Sequence, residues 1–377
     1  MRLSVMTSFS TFGVFHSETR TLLEACDRTY QRLRSDMSGA SSSHLPARLP
    51  VEIYLAMEPD LQHIARILGQ DVPDDSPVRP NSVLTTLKAH LEERDVARFA
   101  EALHRAVGGE EGRQIVALAS FLPELASSDL VGPPTRRPAQ IALANIIRVG
   151  GALRRQYGHP VHVVEAVCGS LVERLTPPAD ADDPRDTSKW KVTLDNRNDV
   201  FERLLQSLRE IWQELGPREA HSGTFPPVAL ELEPGLCFAL RELDSLTALT
   251  RKLAAPENRM LQSRVGCNLD LAHFAIADIS VEEVRSNREI CDRILHVHAS
   301  GFHPQAHFGD CCPSDDNLQQ LRPWFEFLRE LDSPTWRGRR PTGWAQFSGC
   351  VSVEYEAAGT LESVQNSLEK FGMNVLG

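Results

Sequence analysis

The sequence predicts an α/β protein built as a closed (β/α)8 barrel, the TIM barrel. Three observations lead there. Eight short strand-like runs alternate with helical patterns from one end of the chain to the other. The 377 residues suffice for eight β-then-α units, which take about 250 to 400 residues, whereas a doubly wound open sheet usually has fewer strands. Four apolar runs in the C-terminal half each end in a carboxylate or an imidazole, the placement expected where strand ends surround one mouth.

The first four strands are read at RLSVMTS (2 to 8), VEIYLAM (51 to 57), RQIVALAS (113 to 120) and VHVVEAV (161 to 167), all short and rich in apolar residues. The last four are VALELEPG (228 to 235), VGCNLDLAH (265 to 273), RILHVHAS (293 to 300) and CVSVEYEA (350 to 357). Helical patterns fall between them, at 17 to 36, 59 to 69 with 81 to 107, 138 to 157, 197 to 215, 239 to 254, 280 to 292 and 315 to 332, with a last helix near 360 to 371. The pattern over 138 to 157 shows its apolar face best. Ile141, Ala144, Ile147 and Val149 recur near helical spacing before Arg154 and Arg155 close the turn. Residues 1 to 377 therefore read as one barrel domain, with loop insertions near 36 to 47, 131 to 139 and 176 to 189. The first insertion is small and polar, the second proline-rich, and the third both acidic and proline-rich, as suits segments beside a barrel mouth.

Composition narrows the class of partner. A hydrophobic content of 41% with 24% charged residues is that of a globular protein, not a fibre or a disordered chain. A net charge of −11, from 40 Lys and Arg against 51 Asp and Glu, argues against nucleic acid as the partner, because phosphate binding rests largely on Lys and Arg. Arg337, Arg339 and Arg340 form a local basic exception, read as a solvated face with phosphate binding as its alternative. The opening MRLSVMTSFSTF is too short and polar for a secretory h-region, and no run reaches 18 apolar residues, so a cytoplasmic protein with no membrane partner is expected. Eight scattered cysteines without a CxxC pair fit reduced thiols that serve packing.

The chemistry lies at the strand ends. A fold that gathers them would gather Glu231, Asp270, His298 and Glu354, three carboxylates and an imidazole, around one divalent cation. Mn²⁺ comes first among the candidates, with Mg²⁺, Co²⁺, Zn²⁺ and Fe²⁺ as alternatives. Glu231 and Glu233 are two apart and share a strand face, as do His296 with His298 and Glu354 with Glu356. One member of each pair can reach the ion while the other supports it or touches substrate. Glu58 and Glu165, at the ends of strands two and four, are further candidates for the mouth. The bland alternatives are a buried hydrogen-bonded pair for Asp270 and His273 and salt-bridged rim carboxylates for Glu231 and Glu354. Such carboxylates are costly to cluster without a cation.

These residues resemble the xylose isomerase-like barrel superfamily, which includes sugar phosphate isomerases and epimerases, ketose 3-epimerases, inosose dehydratases and endonuclease IV. The resemblance covers roughly 225 to 360 and extends to the N-terminal half only in its β/α rhythm. Asp270-Leu-Ala-His273 is similar to the family's acidic-x-x-His on the sixth strand, which implies metal binding by Asp270 and a place near substrate for His273. Glu231-Leu-Glu-Pro is similar to the fifth-strand motif, Leu295-His-Val-His298 to the seventh-strand motif that ends in a metal ligand, and Val353-Glu354 to the eighth-strand Glu. The loop GFHPQAHFGD (301 to 310) offers His303, His307 and Asp310 where the family places further polar groups.

The departures are informative. No histidine follows the fourth strand in Glu165-Ala-Val-Cys-Gly169, which argues against the trinuclear site of endonuclease IV-like members. No Arg follows His298 as in ketose 3-epimerases, and Glu233 stands where xylose isomerases place a Lys. The resemblance implies a divalent-metal-dependent isomerase or epimerase acting on a sugar, sugar phosphate or polyol-like molecule. Glu231 and Glu354 would move the proton through an enediolate, and His273, His307, Asp310 and Glu233 would contact substrate. The expected partner is that small molecule, and a homo-oligomer is compatible with the sequence. The alternatives are a dehydratase, hydrolase or natural-product biosynthetic enzyme on the same barrel, and a barrel that binds a metabolite without turning it over.

Overall fold

Eight parallel strands close into a barrel in the order β1-β10-β9-β8-β7-β4-β3-β2. They are β1 (Arg2–Ser8), β2 (Val51–Tyr54), β3 (Ile115–Phe121), β4 (Val163–Val167), β7 (Val228–Glu231), β8 (Val265–Asp270), β9 (Ile294–Ala299) and β10 (Cys350–Val353). The structure, a computed structural model, describes residues 1–8, 17–36, 45–55, 87, 89–109, 112–129, 135–167, 169–170, 172–176, 191–216, 225–235, 238–303, 312–340, 344–354 and 361–376. All eight strands expected from the sequence are present, most of them shorter than read. VEIYLAM leaves the sheet after Tyr54 and CVSVEYEA after Val353.

Two differences from the sequence reading concern local structure. Strands β5 (Val172–Thr176) and β6 (Lys191–Leu194) pair antiparallel apart from the barrel and flank the segment read as an insertion near 176 to 189. Both are short and mix charged with apolar residues, which hides their period. The helix expected over 280 to 292 divides into Val281–Ser286 and Arg288–Cys291. Asn287 causes the break: it leaves helical geometry, and its side chain accepts the Ile290 N–H as the cap of the second piece.

The long helices, among them Arg136–Tyr157, Arg197–Leu215 and Asp315–Leu331, wrap the barrel and bury their apolar stripes against outward-facing strand residues such as Val51, Ile53 and Leu118. Inside, the barrel has a floor and a polar upper part. Ala117, Val163, Ala229 and Leu295, none more than 2% exposed, form a separate apolar cluster with Ala345 packed against it. At the same level the backbones of β8 and β9 come close. A Cβ on Gly266 would lie 2.2 Å from the Arg293 carbonyl oxygen and 2.6 Å from Leu295 Cγ, so only glycine fits.

Arg340 corrects the reading of a solvated arginine face. It is buried, and it donates to the carbonyl oxygens of Cys291, Ile294 and Ala345 at 3.0, 2.9 and 3.2 Å. Among the described residues no helix is long and apolar enough to cross a membrane.

Candidate metal centre

The strand register brings the predicted ligands together. Glu231 pairs in register with Asn268, Asp270 with His298, and His298 with Ser352, so β7 to β10 present their polar residues on two adjacent rows near the carboxyl ends of the strands. One donor atom from each of Glu231, Asp270, His298 and Glu354 lies within 4.8 Å of the other three. Atoms that share one ion at about 2.1 Å span up to about 4.2 Å. A contraction of a few tenths of an ångström therefore completes the set.

Asp270 is divided between two tasks. It is the last residue of β8 and the N-cap of the helix Leu271–Ile276, and its Oδ1 accepts the His273 N–H at 2.8 Å. Its Oδ2 is buried without a hydrogen-bond partner. A fully buried carboxylate oxygen with no donor is costly, and a cation would satisfy it.

His298 is fully buried at the centre of the group. Its Nδ1 lies 3.2 Å from Glu231 Oε1, 3.0 Å from Glu354 Oε2 and 3.0 Å from Asn268 Nδ2. Its Nε2 lies 3.2 Å from Glu52 Oε2. Burial alone would lower the affinity of this imidazole for a proton, but Glu52 and Glu354 outweigh it and hold the group well above the usual histidine range.

Further carboxylates crowd the same space. Glu165 is 1% exposed, and burial followed by the charge of Glu231 pushes its carboxyl well above the usual range. The Tyr54 phenol is raised by burial and then by Glu165, Glu354, Glu231 and Glu233. Glu52, Glu231, Glu233, Asp270 and Glu354 thus face His273, His296 and His298 inside one barrel end, beside a Glu165 whose ionisation they disfavour, and this excess of carboxylates fits a divalent cation. Glu231, Asp270, His298 and Glu354 would hold it.

The other predicted residues divide. His273 is buried; its Nδ1–H donates to the Leu232 carbonyl oxygen at 2.9 Å, and its Nε2 lies 3.8 Å from Glu233 Oε2. Glu233 follows the end of β7 and is 8% exposed. Both stand beside Glu231, while His303 is exposed. His307, Asp310, Glu356 and Glu58 lie outside the described residues. Sequence reasoning passed over Glu52, Tyr54 and Asn268. Their signal was the strand period: Glu52 and Tyr54 are two apart in VEIYLAM, and Asn268 is two before Asp270, so each shares an inward face with another polar residue.

Against known proteins, no family model matches the chain and no curated protein matches it. Solved structures do. The IolI protein, described with a bound zinc atom, superposes at a TM-score of 0.53 and 14% identity, covering 100% of this chain and 98% of its own. The likeness is one of fold: the closed (β/α)8 barrel seen here is shared with IolI. A D-tagatose 3-epimerase-like protein aligns at 0.49 and 11% identity over 97% of this chain and 94% of its own. The apo form of 3-keto-D-glucoside 4-epimerase YcjR from E. coli aligns at 0.46 and 14% identity over 98% and 97%.

Proposed function

We propose that this xylose isomerase-like barrel is a divalent-metal-dependent isomerase or epimerase that acts on a sugar, sugar phosphate or polyol-like small molecule by proton transfer through an enediolate. The observation that carries the reading is the convergence of Glu231, Asp270, His298 and Glu354 within 4.8 Å at one barrel end, with Asp270 Oδ2 buried and lacking a donor. The zinc described in IolI, a barrel of the same fold, supports a divalent ion in general. Mn²⁺ is our first choice for a set of three carboxylates and one imidazole, ahead of Mg²⁺, Co²⁺, Zn²⁺ and Fe²⁺.

When bound, such an ion supplies positive charge beside two neighbouring oxygens of a hydroxy-ketone or hydroxy-aldehyde and lowers the cost of negative charge there. The chain's own groups do the rest. Glu231 and Glu354 come from strands on either side of β8 and β9, and both reach the His298 imidazole. One takes the proton from the carbon next to the carbonyl. The other returns it, on the opposite face for an epimerase or at the neighbouring carbon for an isomerase. His273, with Nδ1 fixed on the Leu232 carbonyl, presents Nε2 towards Glu233 and the mouth, where it orients substrate hydroxyls with Glu233. His307 and Asp310 are proposed to add contacts from the loop after β9.

The test uses Glu231→Gln and Glu354→Gln with a panel of free and phosphorylated ketoses in deuterated water. Expected are a wild-type chain that exchanges the substrate proton with solvent and variants that still take up Mn²⁺ but have lost the exchange by at least about 100-fold. Unaltered turnover in both variants removes the acid-base pair. A wild type that binds ketoses without exchanging any proton makes the barrel a binding protein.

A further inference from the structure

Beneath the four predicted ligands lies a second group that the proposed reaction does not use. Glu52 is 0% exposed, and its Oε2 meets two imidazoles, His296 Nε2 at 2.8 Å and His298 Nε2 at 3.2 Å. The His296 Nε2 also lies 3.2 Å from Ser352 Oγ, and Ser352 Oγ lies 2.7 Å from Ser4 Oγ. Both imidazole nitrogens lie within hydrogen-bond distance of the same carboxylate oxygen, and a carboxylate accepts, so the rings are the donors.

We infer that Glu52 is the positioning residue of the metal centre: by accepting the Nε2–H of His298 it fixes the ring and its tautomer, which turns the Nδ1 lone pair towards Glu231, Asp270 and Glu354. The inference rests on the metal-binding reading above and adds the group that prepares the imidazole for it. The geometry supports the assignment twice. The two ring nitrogens of His298 divide cleanly, Nδ1 to Glu231 and Glu354, Nε2 to Glu52. Glu52 also comes from β2, across the barrel from β9, so this contact ties the imidazole to a strand that supplies none of the four ligands. A histidine ligand held by a carboxylate on its other nitrogen is both oriented and made more basic.

Glu52, His296 and His298 also offer donor atoms within 4.8 Å of one another, so a second cation is the competing reading. Two features favour hydrogen bonding. The contacts of 2.8 and 3.2 Å converge on one carboxylate oxygen, as two N–H donors on a shared acceptor do. A second ion there would also require His298 to serve two metals with one ring.

Three measurements test this on the chain of residues 1 to 377. The first is Mn²⁺ titration of the wild type, Glu52→Gln and His296→Gln by calorimetry, with metal content by mass spectrometry. Expected are one ion per chain, affinity about 10- to 100-fold weaker in Glu52→Gln, and a change below about threefold in His296→Gln. The second is the ¹⁴N modulation of bound Mn²⁺ from one imidazole, expected to weaken in Glu52→Gln. The third needs no variant: ¹⁵N-histidine spectra of the Zn²⁺-loaded wild type, in which His298 should carry its proton on Nε2. A ring protonated on Nδ1, equal Mn²⁺ affinity in Glu52→Gln, or equal losses in both variants overturns the assignment while leaving the function standing. Two ions per chain does the same, because Glu52 would then be a ligand. A wild type that takes up no cation overturns both.

Discussion

His104 Nδ1 and His159 Nε2 meet at 3.0 Å, and the Ile115 backbone N–H donates to His159 Nδ1 at 3.2 Å. The backbone donor leaves Nδ1 as an acceptor, so a neutral His159 carries its proton on Nε2 and gives it to His104. Burial, followed by the facing His104, pushes the His159 imidazole down to about 4.

The sign of the pH effect follows. Between about pH 6.5, where an unfolded histidine titrates, and about 4, the unfolded chain binds a proton that native His159 refuses. Stability is therefore complete above about 6.5 and declines as the pH falls towards 4. His162, pushed down to about 3 by burial and then Arg2, adds to the same trend. In urea unfolding at pH 7, 5.5 and 4.5, His159→Gln should decline less steeply than the wild type, and parallel slopes would refute the assignment.

Gly266→Ala should destabilise the barrel without touching the candidate ligands. The new methyl group meets a backbone oxygen at 2.2 Å and the Leu295 side chain, so β8 and β9 must part. Overpacking of this kind costs about 1 to 3 kcal/mol, and more where backbone must move; with an unfolding entropy of about 0.8 kcal/mol/K for a chain of this size, Tm falls by about 1 to 4 °C or more. Calorimetric unfolding measures it; a Tm within 1 °C of wild type, on the order of the usual error, would mean that the strands part freely.

Native thiol chemistry should be nearly silent at four cysteines. Burial pushes the thiols of Cys26, Cys267 and Cys291 up to about 12 and that of Cys350 to about 11, so at pH 8 they carry almost no reactive thiolate. Half-buried Cys312 should be alkylated by iodoacetamide before any of them, and all five should react in urea. Peptide mass spectrometry reads the order, and early labelling of Cys267 or Cys350 would contradict their burial inside the barrel wall.

The barrel and the clustering of four candidate ligands were legible because β7 to β10 are short apolar runs that each carry a carboxylate or an imidazole at or near the downstream end. Once the runs are taken as parallel strands, Glu231, Asp270, His298 and Glu354 have one place to go. Glu52 was hidden by its position. It lies near the start of β2, one residue after Val51, where a charge ordinarily marks a solvent face, and its partners are more than 240 residues away along the chain. The double duty of Asp270 was hidden for another reason: strand end and helix cap coincide in one residue, and VGCNLDLAH shows no break between the two periods. The pair of β5 and β6 escaped because each strand is only four or five residues long and mixes charged with apolar residues, too short a run to show a period.

Ala117, Val163, Ala229 and Leu295 plug the barrel below the carboxylates, and Ala345 caps the plug. With that end closed, a solute could approach Glu231 or Asp270 only from the carboxyl ends of the strands, so access to the carboxylates is one-sided.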